Sequence, residues 1–501
     1  MEASALETPH TAFSRSRVRF EAVTAWLDGP DAAGLSHAEL EERLSADGRE
    51  LFRQLLQDHL DLRAERECRL AEVVDGDGVV RTGAETGRGR GLATVFGTVQ
   101  VRRIAYREPG HADLHPADAK LNLPAEKHSH GLRLLAATES ARGSFDDAAQ
   151  AIERVTGQRL GKRQVQQLAG RAAVDFDRFY ADRSRQPGRA GDLLVLSCDG
   201  KGIVMVPDAL RKATAKAAGK TTRKLTTRLS KGEKRNRKRM AEVGSVYDCT
   251  PLPRTAEDIL AADQKPAAGK TGPTTHGKWL TARVAADTAD VIAGVFDEAV
   301  RRDPHQQRRW VALVDGNSHQ IDRIHAEARA RNVKVSILID FVHVLEYVWK
   351  AAWCYFSEGD PQAESWVRTQ GLRILNGRSS DLAAAIRHKA TYAGLLPRQR
   401  AGADTCASYL LNTRAYLDYP TALAGGWPIA TGVIEGACRH LVKDRMDVTG
   451  ARWGLDGAEA VLQLRALRSN GDLDEYWAYH LAQEKKRVHQ ARYTDGIIPA
   501  A

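Results

Sequence analysis

The 501-residue sequence has no apolar run long enough to cross a membrane, and its first twenty residues lack the apolar segment of a signal peptide. We therefore expect a cytoplasmic protein with no membrane partner. Its six cysteines are far apart and form neither a Cys-x-x-Cys pair nor a zinc-binding pattern, which predicts reduced, mostly structural thiols.

Two enzyme motifs are also missing. Gly-Lys-Thr occurs twice, but a phosphate-binding P-loop requires glycine at the positions held by Thr214 and Gln264. The His-Glu-x-x-His pattern of zinc proteases does not occur. The sequence thus excludes a P-loop nucleotidase and a zinc protease of that type.

The charge is concentrated in one segment. The composition, 43% hydrophobic and 28% charged, is that of a globular protein with room for about three domains. Of the net charge of +10, residues 211–239 carry +12, from thirteen Lys or Arg and one acid, and the rest of the chain carries −2. Such a run is usually a solvated arm, and we favour an arm that neutralises phosphates. Its candidate DNA contacts are Arg235, Arg237, Lys238 and Arg239.

Residues 1–130 are predicted to be mainly helical with one small β-hairpin. Leucines at helical spacing indicate a helix over residues 36–69, and alternation around Gly97 indicates a hairpin over residues 94–106. The glycine-rich basic residues 87–91 are interpreted as a link that leads into this hairpin. This region gives no indication of a function.

Residues 131–186 contain two predicted helices around a tight turn at Gly157. The spacing is typical of a helix-turn-helix, but also of a plain helical hairpin, which is commoner. In a helix-turn-helix, the second helix presents Arg163, Gln164, Gln166 and Gln167 to DNA.

Two apolar runs end at an aspartate followed by glycine. Residues 193–196 lead to Asp199, and residues 310–314 lead to Asp315. Each run reads as a buried strand that delivers a carboxylate to its end, although Asp-Gly after a strand is also an ordinary turn. A third carboxylate, Glu435, lies on a predicted helix that Thr431 caps, where it can equally be a partner of the helix dipole.

The pattern between residues 190 and 480 predicts an α/β (α+β) fold. Hairpin-like strands come first, and strand and helix alternate afterwards, which indicates a mixed sheet flanked by helices. Residues 361–426 contain no convincing strand and are predicted to be an all-helical insertion. Three carboxylates on such a sheet can hold two Mg²⁺ ions, with Mn²⁺ able to substitute, and two ions stabilise both oxygens of a phosphodiester displacement.

The sequence strongly resembles bacterial insertion-sequence transposases of the ISKra family in five segments: SCDGKGIVM, RLSKGEKRNRKRMAEVGSVYD, WVALVDGNSHQIDRI, IDFVHVLEYVWKAAWCYF and WPIATGVIEGACRHLVKDRMDVTGARWGLDGAEAVLQLRALRSNG. The resemblance covers most of the chain from about residue 130. It implies a DDE transposase with an RNase H-like catalytic core and a five-stranded mixed sheet, using two Mg²⁺ ions to cut the ends of a mobile element and join them to target DNA.

Carried over, the resemblance makes Asp199, Asp315 and Glu435 the catalytic and metal-binding residues. The core is then formed by residues 190–360 and 427–480 around the insertion, with 481–501 as a tail. Asp340 and His343 resemble a supporting Asp-x-x-His pair of related transposases, or else form a structural hydrogen-bonded pair. The remaining candidate DNA contacts are Arg439, Lys443, Arg445, Arg452 and Trp453; a buried tryptophan is the alternative for Trp453.

The expected partners are terminal and target DNA. Pairing two DNA ends makes a homo-oligomer, a dimer on DNA, the expected assembly, and a protein acting on DNA is expected to associate with the nucleoid. Two alternatives stay open: an RNase H-like nuclease without strand transfer, and a non-catalytic DNA-binding protein derived from a transposase. The presence of all three carboxylates argues against the second.

Overall fold

The structure is a computed structural model that describes residues 12–220, 237–260, 272–448 and 450–500. The chain divides into two compact units, Met1–Asp182 with Gly471–Ala501, and Arg183–Asn470. Within the described ranges, no helix combines the length and the apolar character that crossing a membrane requires.

Strands and helices alternate only in the second unit. The strands of the described residues are β1 Val73–Val74, β2 Val80–Arg81, β3 Gly83–Thr94, β4 Gly97–Arg107, β5 Leu193–Val204, β6 Lys238–Thr250, β7 Thr274–Arg283, β8 Trp310–Val314 and β9 Val335–Ile339. The helices are α1 Ser14–Leu27, α2 Pro30–Ala33, α3 His37–Glu65, α4 Pro116–Lys120, α5 His130–Arg142, α6 Phe145–Thr156, α7 Lys162–Ala172, α8 Phe176–Asp182, α9 Lys212–Gly219, α10 Ala256–Ile259, α11 Thr288–Arg302, α12 Ser318–Ala330, α13 Phe341–Ala352, α14 Pro361–Leu375, α15 Ser379–Tyr392, α16 Ala401–Asn412, α17 Tyr419–Ala424, α18 Gly432–Ala437, α19 Asp444–Met446, α20 Leu455–Asn470 and α21 Leu473–Glu484. Two π-helical turns, Cys438–Lys443 and Lys485–His489, follow α18 and α21.

The hairpin of the first unit is longer than the sequence indicated. Strands β3 and β4 pair antiparallel from Gly83 to the turn between Thr94 and Gly97. The glycine-rich residues 87–91, predicted to be a link, are therefore part of β3. The link prediction was wrong because alternating apolar residues in β4 give this basic stretch a pairing partner, and Gly87, with φ 74°, lies at the irregularity in the pairing.

Helices α6 and α7 confirm the prediction of two helices around a tight turn. Ser144 caps α6, its side chain accepting a hydrogen bond from the Asp147 amide, and Gly157 ends the helix with φ 69°. Both helices pack against α5 around an apolar cluster that includes Leu132, Ile152, Val165 and Leu168. Whether this three-helix arrangement contacts DNA stays a prediction.

The C-terminal segment Gly471–Ala501 is grouped with the first unit, whereas the sequence places a boundary at residue 480. Residues 471–480, assigned from the sequence to the catalytic core, lie in the first unit, and residues 473–480 form the start of its helix α21. Residues 481–501 are more than a tail: the Asn122 side chain donates to the Leu481 carbonyl, and His489 Nε2 lies 2.9 Å from the Leu123 carbonyl. Pairing with distant residues of this kind leaves no local signal in a sequence.

The second unit is built on a mixed five-stranded sheet in the order β7-β6-β5-β8-β9. Strands β7, β6 and β5 pair antiparallel, whereas β5, β8 and β9 pair parallel. Helix α11 packs against this sheet and buries Val291, Ile292, Val295, Phe296 and Ala299, the five residues that the sequence predicts to face inward. The predicted mixed α/β sheet with flanking helices is confirmed.

Residues 361–426 contain helices α14 to α17 and a 3₁₀ turn, Arg414–Tyr416, with no strand, as the sequence predicts. The central strands are fully enclosed: Leu194, Val195 and Val311 have no exposed surface. Burying each such side chain contributes roughly 1.5–3 kcal/mol relative to leaving it in water, so these strands anchor the sheet edge at which the carboxylates lie.

Candidate active site

Three aspartates lie level with one another at one edge of the parallel strands. Ser197 of β5 pairs with Leu313 of β8, and each of these residues lies two positions before an aspartate, Asp199 or Asp315. In the same way Val314 pairs with Ile339 of β9, one position before Asp315 and Asp340. The constant register of a parallel pair therefore brings all three aspartates to the carboxyl edge of β8 and β9.

Asp199 lies within a strand and not at its end, which corrects the sequence prediction. Strand β5 continues to Val204 because β6 pairs with it along its whole length, Asp199 lying opposite Val243. The parallel neighbour β8 stops at Val314, so Asp199 still lies where the parallel part of the sheet ends. Its Oδ1 accepts a hydrogen bond of 2.6 Å from the Gly200 amide.

Asp315 is held by its own turn and by the helical insertion. Its Oδ1 accepts a hydrogen bond of 2.8 Å from the Asn317 amide, and its backbone carbonyl accepts one of 3.1 Å from the Tyr409 hydroxyl. Gly316 has φ 93°, and a Cβ there would lie 2.6 Å from that hydroxyl oxygen. Both the left-handed backbone and the close approach of Tyr409 therefore require glycine at this position.

Glu435 lies exposed on the short helix α18, beside Asp340. Thr431 precedes α18, but its side chain does not cap the helix as the sequence suggested. Its hydroxyl instead donates to Asp340 Oδ2 and also lies 3.1 Å from Glu435 Oε1. The Thr431 amide donates to the same Asp340 oxygen at 2.8 Å. Through Thr431, the edge strand β9 is thus joined to the helix that carries the third acid.

Cys438, one turn beyond Glu435, joins the same helix to Asp199. Its Sγ lies 3.3 Å from Asp199 Oδ2. Burial, reinforced by the neighbouring carboxylate, raises the pKa of the Cys438 thiol well above its ordinary value, so the group stays protonated and donates. Helix α18, which carries Glu435, contacts β5 and β6, and the residue that bonds Asp199 follows one turn later.

The expected Asp340 and His343 pair is not hydrogen-bonded. Asp340 is buried, and its Oδ1 accepts from the Val342 amide at 2.6 Å while Oδ2 binds Thr431. His343 Nδ1 lies 3.6 Å from Glu346 Oε2 instead. Asp340 is therefore bonded to Thr431 and not to His343, so the alternative of a hydrogen-bonded Asp340–His343 pair is wrong, and a supporting role for these residues stays a prediction.

Two further residues at this edge carried no sequence signal. Glu242 of β6 pairs with Gly200, where an added Cβ would lie 3.5 Å from Glu242 Oε2. Burial raises the pKa of Glu242, and the charge of Asp199 adds to this effect. Tyr409 reaches Asp315 from the insertion and stacks on Tyr347 with ring centroids 3.8 Å apart. Only strand register reveals Glu242, and only the packing of the insertion reveals Tyr409.

The donor atoms at this edge suit a hard divalent cation, because Mg²⁺ prefers carboxylate oxygens. Asp199 and Asp315 lie at equivalent positions of the paired strands β5 and β8. Cys438 bonds Asp199, and Thr431 lies beside Glu435, so the helix of Glu435 is held near this edge. As the side chains are oriented, no three His, Cys, Asp or Glu residues of the described ranges form a group that could hold a metal ion. A metal site formed by Asp199, Asp315 and Glu435 therefore stays a prediction.

The candidate DNA contacts of the first unit differ in how exposed their side chains are. Arg163 and Gln167 are exposed on α7, as predicted. Gln164 is used differently: its Oε1 accepts a hydrogen bond of 3.0 Å from the Gly161 amide and completes the start of α7. Arg163, Gln166 and Gln167 are exposed on α7 and remain candidate DNA contacts.

The nominated basic arm is described only in part, since residues 221–236, including Arg235, lie outside the described residues. Arg237 and Lys238 lie at the start of β6, and Lys238 is exposed. The guanidinium of Arg239 donates to the carbonyls of Ala209, Val284 and Ala285. Arg239 therefore joins chain segments of its own unit, and its nomination as a DNA contact stays a prediction.

The candidate DNA contacts that follow α18 also differ in exposure. Arg439, Lys443 and Arg452 are exposed, as a contact with DNA requires. Arg445 is buried with its guanidinium carbon 4.7 Å from the centre of the Trp453 ring, so both residues are removed from the candidate surface. Trp453 Nε1 donates to the Met446 carbonyl at 3.0 Å, and the buried-tryptophan alternative is confirmed.

Comparison with known proteins adds no assignment to this site. No protein-family model matches the chain, and no curated protein sequence matches it. What can be said of this edge therefore rests on its own residues: the carboxylates of Asp199, Asp315 and Glu435, with the Cys438 thiol bonded to Asp199 and the Thr431 hydroxyl lying between Asp340 and Glu435.

Proposed function

We propose that the protein is a DDE-type transposase that cuts phosphodiester bonds at the ends of a mobile element and joins them to target DNA. The observation that carries the proposal is the common register of Asp199 and Asp315 on adjacent parallel strands, with the helix of Glu435 joined to the same edge. The strand order β7-β6-β5-β8-β9, in which β6 alone runs opposite to the other four strands, supports an RNase H-like core. The resemblance to ISKra-family transposases points the same way.

In this proposal Asp199, Asp315 and Glu435 hold two Mg²⁺ ions. Bound there, Mg²⁺ supplies electrostatic stabilisation of the attacking and leaving oxygens of the phosphodiester. Asp340 and Thr431 orient Glu435, and the Cys438 thiol orients Asp199. Because burial keeps that thiol protonated, it is no nucleophile, and the attacking group is water or a DNA 3′-hydroxyl.

A cleavage and joining assay tests the proposal. The substrate is duplex DNA containing the genomic sequences that flank the coding region, incubated with Mg²⁺ or Mn²⁺ and a target plasmid. We expect wild type to cut and join this DNA, and Asp199→Asn, Asp315→Asn and Glu435→Gln each to abolish both steps. Asp322→Asn, which changes an exposed aspartate on α12, is the matched control and retains activity.

The outcomes separate the alternatives. Cleavage without joined product identifies a nuclease without strand transfer. Specific binding without cleavage by the wild type identifies a non-catalytic DNA-binding protein. Full activity in any one of the three carboxylate variants removes that residue from the metal site.

A further inference from the structure

A basic groove lies at the opposite edge of the sheet from the carboxylates. Its volume is about 1050 Å³, and it is formed by the chain that enters β8, the end of α12 and the chain that enters β9. Arg309, Arg329 and Lys334 are exposed along it. None of the residues that line the groove is Asp or Glu. The groove is therefore a concave surface whose charged groups all carry a positive charge or, for His325, can gain one.

The positive charges of the groove are available to a ligand. No ion pair joins Arg309, Arg329 or Lys334 to a carboxylate within the described part of the chain. Arg308, by contrast, is buried and bonds to Asp248, so it belongs to the interior. The guanidinium carbon of Arg309 lies 5.4 Å from the centre of the Trp427 ring, a contact that leaves its charge unneutralised. Three cations without a carboxylate partner in one concave surface repel one another, and an anion in the groove relieves that repulsion.

The neutral groups of the groove indicate which anion it suits. Gln306, Asn332 and Ser336 add hydrogen-bond donors, and a mixture of Arg, Lys and neutral donors is typical of contacts to phosphate oxygens. Trp310 is buried, so it offers no face on which a base can stack. The His325 ring lies 3.2 Å from the Tyr416 hydroxyl. Without an exposed aromatic platform, contact with a duplex backbone is favoured over binding of single strands or of a nucleotide base.

We infer that this groove binds the phosphodiester backbone of duplex DNA, at a segment separate from the one that meets the carboxylates. Strand β8 has five residues, so its two end residues are roughly 13 Å apart, and Arg309 and Asp315 flank these ends. A duplex that contacts Arg309 and Lys334 at one edge thus presents different phosphates from those at Asp315. The contacts are to the backbone only, so the binding is insensitive to base sequence.

Fluorescence anisotropy with the full-length protein tests this inference. A labelled duplex of arbitrary sequence is titrated in EDTA over a range of salt concentrations. The test variant combines Arg309→Gln, Arg329→Gln and Lys334→Gln. The control combines Lys278→Gln, Arg323→Gln and Arg398→Gln, which removes the same charge from exposed positions outside the groove.

We expect the slope of log K against log salt to become shallower by about 2 to 3 in the test variant, because each lost phosphate contact contributes about 0.9. The control variant should retain the wild-type slope within about one unit. If the triple variant fails to fold, the single variants Arg329→Gln and Lys334→Gln test the inference instead. In each of them the slope of log K against log salt should become shallower by about 0.9.

Three outcomes overturn the inference: an unchanged slope in the groove variants, an equal loss in the control, or an effect confined to single-stranded DNA. Competition by millimolar inorganic phosphate or a mononucleotide would also contradict it, because that result indicates a small-anion site. The readout is binding without metal, so the inference is independent of the proposed catalysis, and a protein that fails to cut DNA leaves it standing.

Discussion

The thiol of Cys438 donates a hydrogen bond to Asp199, with Sγ 3.3 Å from Oδ2, although 239 positions separate the two residues. This contact joins the helical segment after Glu435 to the central strand of the sheet. It places a neutral donor, and not a charged group, beside the carboxylate. The negative charge of Asp199 thus remains available for a cation.

The reactivity of the thiols should follow their burial. Burial raises the pKa of Cys198 and Cys406 to about 12 and that of Cys249 to about 11, and it raises the pKa of Cys438 as well. Since the thiolate is the reactive form, we expect these four to be inert to a thiol reagent in the native protein at pH 8, and exposed Cys68 to react rapidly.

Kinetic titration with a chromogenic disulfide checks this expectation, with Cys68→Ser as the control that removes the fast phase. All six thiols should react after denaturation. Rapid labelling of Cys438 in the native state would show that the segment after α18 opens, and would contradict the packing described here.

Thr431 should control how the site binds metal, a prediction that rests on the proposed function. Its hydroxyl has one proton and lies between Asp340 and Glu435, so it donates to one carboxylate at a time. Thr431→Val preserves shape and removes the donor. We expect the Mg²⁺ concentration for half-maximal cleavage to rise about 10- to 100-fold, the usual effect of losing a group that orients a metal ligand.

Thr431→Ser keeps the hydroxyl and should retain the metal dependence of the wild type. Thermal unfolding of both variants distinguishes an orienting role from a loss of fold. If Thr431→Val has wild-type metal dependence and stability, the hydroxyl does not orient Glu435.

The buried Asp175 should make the first unit sensitive to acid. Burial alone would raise its pKa, but hydrogen bonds from Arg487 and His480 outweigh that effect and hold the pKa well below its ordinary value. A lowered carboxyl pKa contributes stability above the unfolded-state pKa, near 4, and this contribution is lost as the pH falls through the folded-state pKa.

Asp175→Asn should therefore lower the free energy of unfolding by about 1 to 3 kcal/mol at pH 7, since it removes the charged acceptor of His480 and Arg487, while the partly exposed Arg487 keeps its ion pair with Glu484. The difference from wild type should shrink progressively below about pH 4. Urea denaturation at several pH values measures both effects, and Asp28→Asn at an exposed position is the control. A difference that stays constant down to pH 2 would contradict the ionic origin.

Gly244 in β6 should not tolerate a side chain. An added Cβ would lie 2.5 Å from Val295 Cγ2 and 3.2 Å from Thr281 Cγ2, and β-branched valine in a helix has one strongly preferred rotamer. Gly244→Ala should therefore destabilise the protein by about 1 to 3 kcal/mol.

The neighbouring Gly294 is a matched control for this substitution. An added Cβ there meets no atom within 4 Å, and Gly294 lies within helix α11, so Gly294→Ala should stabilise by about 0.5 to 1 kcal/mol. Urea denaturation measures both changes. Equal effects of the two substitutions would show that helix α11 does not pack against β6 as tightly as the distances indicate.

The sequence by itself determined which segments form strands and helices in the second unit. Apolar runs gave β8 and most of β5, and helical periodicity gave the inward face of α11, from Val291 to Ala299. These signals are local, because the side chains of one strand or one helix face reveal its period without reference to the rest of the chain. The same local signals nominated Asp199, Asp315 and Glu435.

Only the tertiary structure decided how these elements meet. The register that aligns Asp199 with Asp315, the approach of Glu242 and Tyr409, and the burial of Trp453 all depend on pairing between distant segments. Side-chain burial is a property of the packed assembly and not of a residue type. For that reason the sequence nominated the carboxylates as candidates, while their hydrogen-bond partners and the basic groove at the other edge of the sheet emerge only from the fold.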